Sequence, residues 1–138
     1  PKPASRVHTG VKRGGYVVAD AQQVAEGILI ATGSEVQLAL AAQKKLAELG
    51  RDVRVVSLPS FERFNAQPAA YQKQVLPHQL RRRVAIEMAS SLGWGQYIGL
   101  DGALVTQDQF GASGQGAAVM AMAGFTPEAV VDAYLKLN

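Results

Sequence analysis

Apolar positions along the chain come in two rhythms. Ile28-Leu29-Ile30-Ala31 is an unbroken apolar run between Gly27 and the turn Thr32-Gly33-Ser34. A short run bounded by glycine and turn formers predicts a strand buried on both faces, the habit of parallel sheets covered by helices. The rhythm then changes. Val36, Ala39, Ala42, Leu46 and Leu49 recur at steps of three or four, marking one face of a helix. Ser34 stands where its N-cap belongs, and Gln37 completes a capping-box pattern. Gly50 supplies the left-handed residue that ends such a helix. Arg51 to Leu58 resumes with β-branched residues and predicts the next strand, so the three segments form a βαβ unit.

The same reading extends in both directions. Tyr16-Val17-Val18-Ala19 predicts a short strand, and Ala21 to Glu26 is too brief for a crossover helix. That strand is therefore expected to pair antiparallel with Ile28–Ala31, at an edge of the sheet. Pro59 closes the strand before it, since proline cannot extend a central ladder. A short helix is predicted over 69–75, ahead of Pro77, and Arg83-Val84-Ala85-Ile86-Glu87 predicts a third buried strand. Met88 to Tyr97 reads as a loop with a short helix, and Gly102 to Thr106 as the last strand. A Gly-rich loop from Phe110 to Gly116 leads into an Ala/Met helix that Gly124 can stop. Thr126-Pro127-Glu128 then gives a cap, a proline at the first helical position and an acid in the first turn. Val130, Tyr134 and Leu137 carry the inner face of this terminal helix. Residues 1–13 hold prolines, cations and little apolar content and read as a tail or interdomain linker, leaving 14–138 as the domain. The fold class is α/β: an open, mostly parallel five-stranded sheet with one antiparallel edge strand and helices on both faces.

Composition narrows the function classes. With 138 residues, 48% of them hydrophobic, the chain can bury one substantial core. Its formal net charge of +3 comes from 14 basic against 11 acidic residues. The one tight basic cluster, Arg81-Arg82-Arg83, has no interleaved aromatics and reads as a solvated loop before a strand, so no nucleic-acid partner is expected. The absence of cysteine removes disulfides, thiolate metal sites and a cysteine nucleophile together, and suits a cytoplasmic setting. No apolar run approaches the roughly 20 residues of a membrane span, so no membrane partner is expected. Pro1 is an unusual first residue and suggests a piece of a longer chain.

Candidate chemistry is sparse. His8 and His78 have no partner at a metal-binding or catalytic spacing and read as surface imidazoles. Glu87 falls at the carboxyl end of a buried strand, where open α/β sheets place their ligands, yet no second carboxylate stands near it in sequence. Gly33 and Ser34 are weak anion-binding candidates, because a helix start offers free N–H groups and a favourable dipole. They lack the lysine and glycine spacing of a P-loop, and helix capping explains them as well. Gly111, Gly114 and Gly116 run in the reverse order of a dinucleotide-binding loop. Trp94 and Phe110 are candidate interface anchors, with a plain core role as the alternative. On motif chemistry alone, no catalytic, cofactor-binding or metal-binding residue is assigned.

Several segments taken together resemble the C-terminal domain of transketolase. They are Gly14-Gly15-Tyr16-Val17-Val18, Ile30 to Val36, Val55-Val56-Ser57-Leu58-Pro59-Ser60, Tyr71 to Pro77, Arg83 to Glu87, Gly93-Trp94 with Tyr97-Ile98-Gly99, and Phe110-Gly111-Ala112-Ser113. Where that family continues its last motif with Ala-Pro, this chain has Gly114-Gln115. The resemblance implies a three-domain transferase, a homodimer that moves two-carbon ketol units between sugar phosphates. It implies thiamine diphosphate and a divalent metal, Mg or Ca, held by the other domains and not by this one. The expected role here is architectural or regulatory, contributing to dimer packing, with no activity in isolation. Two other readings stay open: a free-standing module that binds a nucleotide or phosphometabolite, and the equivalent third domain of another thiamine diphosphate enzyme.

Overall fold

A computed structural model describes residues 13–33, 35–87, 102–106, 120–121 and 126–137. The elements run β1 (Tyr16–Ala19), β2 (Gly27–Ala31), α1 (Glu35–Glu48), β3 (Val53–Ser57), α2 (Phe61–Asn65), α3 (Ala69–Val75), β4 (Arg82–Glu87), β5 (Ala103–Thr106), β6 (Met120–Ala121) and α4 (Pro127–Leu135). The strands form a six-stranded sheet in the order β1-β3-β2-β4-β5-β6. All neighbours are parallel except β1, which runs antiparallel at the edge. The mostly parallel sheet with one antiparallel edge strand is as expected, and β6 adds a short sixth strand.

The apolar run of the opening motif becomes the centre of the sheet. β2 lies between β3 and β4, with all five residues buried. Its side chains alternate between two cores, as the pleat requires. Leu29 and Ala31 join Val53, Val55, Val84 and Ile86 under α1 and α4. Ile28 and Ile30 join Val56, Leu58 and Ala85 under α2 and α3. Helices therefore cover both faces.

The helix periodicity holds through Leu46 and then stops. Ala39, Ala42 and Leu46 are fully buried, Val36 is half-buried, and Leu49 is 57% exposed. Gly50 at φ +80° explains the stop. Its N–H donates to the Ala47 carbonyl, and the Arg51 N–H reaches back to Leu46 at 2.8 Å, the paired bonds of a Schellman ending. At α4 the Thr126 hydroxyl accepts the Ala129 N–H at 3.1 Å, and Pro127 follows it, as expected. Gly27 is needed for close approach. A Cβ there would lie 2.5 Å from Cε1 of Tyr134 and 2.6 Å from the Arg82 carbonyl, so α4 can sit on the sheet only because this residue has no side chain.

Three expectations are corrected. β1 has the expected antiparallel sense and edge position, but its partner is β3, with Tyr16 opposite Ser57, and not β2. The connection from β1 to β2 passes over the start of β3 and is tied there. The Asp52 carboxylate accepts the N–H groups of Gln22, Gln23 and Val24 at 2.7 to 3.1 Å, and the Asp52 carbonyl accepts that of Glu26. The Ala/Met segment predicted as a helix contains β6, which pairs with β5 as Leu104–Met120 and Val105–Ala121. Pairing on an open sheet edge outweighs a composition that favours helix. Finally, the strand expected from Arg83 begins one residue earlier, so Arg82 opens β4 and does not belong to a solvated loop.

The short helix over 69–75 appears as α3. The sequence reading did not separate α2, which starts at a Ser60 cap whose hydroxyl accepts the Arg63 N–H at 3.2 Å. Both short helices depend on ties to the rest of the domain. Ile28 is in register with Arg54 on one side and Arg83 on the other. Both guanidinium groups reach the C-terminal end of α3, where cations complement the helix dipole. Arg54 donates to the Gln74 and Val75 carbonyls at 2.8 and 3.0 Å. Arg83 donates to the carbonyls of Leu76, Pro77 and Leu80.

Candidate functional site

At the carboxyl end of the sheet, where open α/β folds place ligands, Gly33 adopts φ +54°. The turn is closed internally: the Glu35 N–H donates to the Thr32 carbonyl at 3.0 Å and the Val36 N–H to the Gly33 carbonyl at 3.2 Å. The Glu35 side chain is 9% exposed, and its Oε2 lies 3.8 Å from where a Gly33 Cβ would be. A carboxylate of the protein thus occupies the first turn of α1, where an external anion would be drawn. Glu87 ends β4 opposite Thr106 of β5, as its position in the sequence suggested. Ser34, Trp94, Phe110, His8 and the glycines of the 110–116 loop lie outside the described residues. His78 is exposed in the turn after Pro77.

Most described polar contacts gather at the opposite, amino end, which the sequence reading did not single out. The Tyr134 hydroxyl, 108 positions along the chain from Glu26, donates to its Oε2 at 2.7 Å. The guanidinium groups of Arg51 and Arg82 approach the same oxygen at 3.5 and 3.7 Å. Burial, and then the neighbouring Glu26 carboxylate, hold the Tyr134 phenol well above the usual tyrosine range, so it stays a donor. A buried tyrosine hydroxyl needs a partner; that requirement was the signal available in the sequence, though it does not name Glu26. Beside this cluster a groove of about 570 Å³ is lined by Asp20, Gln43, Lys44, Glu48, Arg51 and Asp52. The Gln43 amide in its wall donates to the Ala19 and Val53 carbonyls.

Tyr71 joins the segment ahead of β1 to the α2/α3 layer. Its hydroxyl donates to the Gly15 carbonyl at 2.7 Å, and the Arg13 guanidinium lies 4.6 Å over its ring. The described arrangement therefore secures backbone and orients helices. Among the described residues no three His, Cys, Asp or Glu side chains gather as metal ligands. No described helix is long and apolar enough to cross a membrane.

Comparison with known proteins agrees with this architecture. The family described as "Transketolase-like TK C-terminal domain" matches residues 14–126. The chain is 50% identical over 129 residues to the transketolase of Geobacillus stearothermophilus, a match that covers 93% of this chain and 19% of that protein. It is 50% identical over 128 residues to a probable transketolase of Streptococcus pneumoniae, covering 93% of this chain and 20% of the relative. Among solved structures, a Pichia stipitis transketolase in complex with a sedoheptulose phosphate aligns over 94% of this chain and 18% of its own, with TM-score 0.76 and 35% identity. The transketolase of Leishmania mexicana aligns over the same shares, with TM-score 0.75 and 40% identity. The chain thus spans about a fifth of the length of the relatives it matches.

Proposed function

The chain belongs to the transketolase C-terminal-domain family, and on that premise we propose that it serves its parent enzyme as architecture and not as the seat of chemistry. The parent enzyme moves two-carbon ketol units between sugar phosphates, as a cytoplasmic homodimer. Thiamine diphosphate and a divalent metal supply its chemistry. Among the described residues no three His, Cys, Asp or Glu side chains gather as metal ligands, and no step through the metal is assigned to them. Trp94 and Phe110 are proposed to contact neighbouring domains, and Gly33 with Ser34 to form the corner that seats α1.

The observation that carries this reading is coverage. Half-identical sequence runs along 93% of this chain but accounts for only 19% of the relative. Contacts such as those of Asp52, Arg54, Tyr71 and Arg83 support it, since they are spent on holding helices and strands together. The test is to combine the chain with a polypeptide carrying the other domains and to measure ketol transfer between sugar phosphates with thiamine diphosphate and magnesium present. Activity is expected in the mixture and not from either part alone. Turnover by this chain alone would overturn the proposal, as would full, stable activity of the other domains without it.

A further inference from the structure

Four arginines in or just ahead of β3 and β4 fall into two groups. Arg54 and Arg83 are consumed, each donating to carbonyl oxygens, with a shortest bond of 2.8 Å. Arg51 and Arg82 are not. Each meets one oxygen of Glu26, at 3.5 and 3.7 Å, well beyond the roughly 2.7–2.9 Å of a charge-assisted hydrogen bond. Glu26 is already engaged, because its Oε2 accepts the hydrogen bond of the Tyr134 hydroxyl at 2.7 Å. One carboxylate therefore faces two guanidinium groups, whose side chains stay 44% and 39% exposed. Within this trio the charge is left positive, and most of the five N–H donors of each arginine have no partner among the described contacts.

These groups line a small concavity. A cavity of about 30 Å³ is bounded by Arg51, Arg82, Tyr134, Leu135 and Leu137. That volume matches one water molecule, or the head of a carboxylate or phosphate entering from outside. The guanidinium fork suits such a head, since its parallel N–H groups bind paired oxygens in one plane. Leu135, 43% exposed, gives the mouth an apolar lip.

We propose that Arg51 and Arg82, arranged across Tyr134 at the amino end of the sheet, form a binding site for a small oxyanion, the carboxylate or phosphate-monoester group of a metabolite. The site lies at the opposite end of the strands from the Gly33 corner, since Gly27 pairs with Arg82 at one end of β2 and Ala31 with Ile86 at the other. It does not depend on the transketolase reading. Selectivity comes from geometry: both guanidinium groups line one small opening together with Tyr134, whose hydroxyl hydrogen is committed to Glu26.

The test is a titration of the 138-residue chain with inorganic phosphate in one arm and acetate in the other, at ionic strength held constant with sodium chloride. The readouts are melting temperature and the arginine Nε–Hε NMR signals. A saturable rise in melting temperature is expected in at least one arm, together with movement of the Arg51 and Arg82 signals and no movement of those of Arg54 and Arg83. In Arg51→Gln and Arg82→Gln the apparent Kd should rise at least tenfold. The arm that saturates at lower concentration identifies the oxyanion. Three results would overturn the proposal: no saturable change in either arm, the same response in both variants, or signal movement spread over all arginines. The NMR readout needs no variant, so it decides even if a substitution weakens folding.

Discussion

The two faces of the sheet are built by different means. On one, α1 and α4 lay Ala39, Ala42, Leu46, Val130 and Ala133 against the strands, and the packed side chains hold the layer. On the other, α2 and α3 have 5 and 7 residues. Isolated helices of that length are unstable in water. This second layer rests on fewer apolar residues, Phe64, Val75 and Leu76 among them, and on ties from elsewhere. Ser60 caps one end, Tyr71 holds the Gly15 carbonyl, and Arg54 and Arg83 grip the other end of α3. Long helices can be held by their own stripe of apolar residues; short ones need side chains of neighbouring elements to hold their ends.

The largest expected effects compare the layers directly. Phe64→Ala should lower stability by about 4 kcal/mol, since it removes the main aromatic anchor of the short-helix layer, and Leu46→Ala should lower it by about 3 kcal/mol. Denaturant unfolding measures both. Their distributions should differ: hydrogen exchange in Phe64→Ala should speed up over 61–80 well before the central strands, whereas Leu46→Ala should weaken protection in β2, β3 and α1 together. Equal acceleration throughout the sheet in both variants would break the contrast.

Arg83→Met tests the ties by themselves. It keeps the aliphatic stem over the sheet but removes the donors to the Leu76, Pro77 and Leu80 carbonyls. A loss of about 2 kcal/mol is expected, in line with hydrogen bonds from a charged group. Exchange should rise in α3 and leave α4 unchanged. Burial draws the Arg83 guanidinium below its usual range, and those bonds keep it in place. No change in α3 would mean that packing alone holds it.

The same contrast explains what could be read from the sequence. The long-helix layer was legible because its signals are local: a stripe at helical spacing, a Gly50 ending, and a Thr126-Pro127 start. The short-helix layer was legible only as far as the extent of α3. That Arg54 and Arg83 flank Ile28 follows from strand order, which no local pattern contains. The partner of β1 was misread for the same reason. The connection that follows β1 is tied to the start of β3 by Asp52, some thirty positions from the N–H groups that it binds. β6 was hidden because Ala and Met favour helix, and only the edge of β5 makes a strand of them. The amino-end cluster joins residues as far apart as Glu26 and Tyr134, so a sequence pattern could indicate that Tyr134 turns inward but not what it meets.

The smallest expected effect falls at the limit of a local signal. Leu49 continues the helical stripe in the sequence, and the stripe alone would place it in the core. α1 ends at Glu48, and the left-handed Gly50 turns the chain toward β3, so Leu49 belongs to the ending and not to the packed face. Its 57% exposure is the consequence. Leu49→Gln should therefore shift stability by no more than about 0.5 kcal/mol, as expected of a surface position, while Leu46→Ala, one helical turn earlier, takes away the buried anchor. If thermal and denaturant unfolding instead show Leu49→Gln losing as much as a core truncation, Leu49 packs against something beyond the described contacts. The long-helix layer would then reach past the Schellman ending, and the two faces would differ less than their architecture indicates.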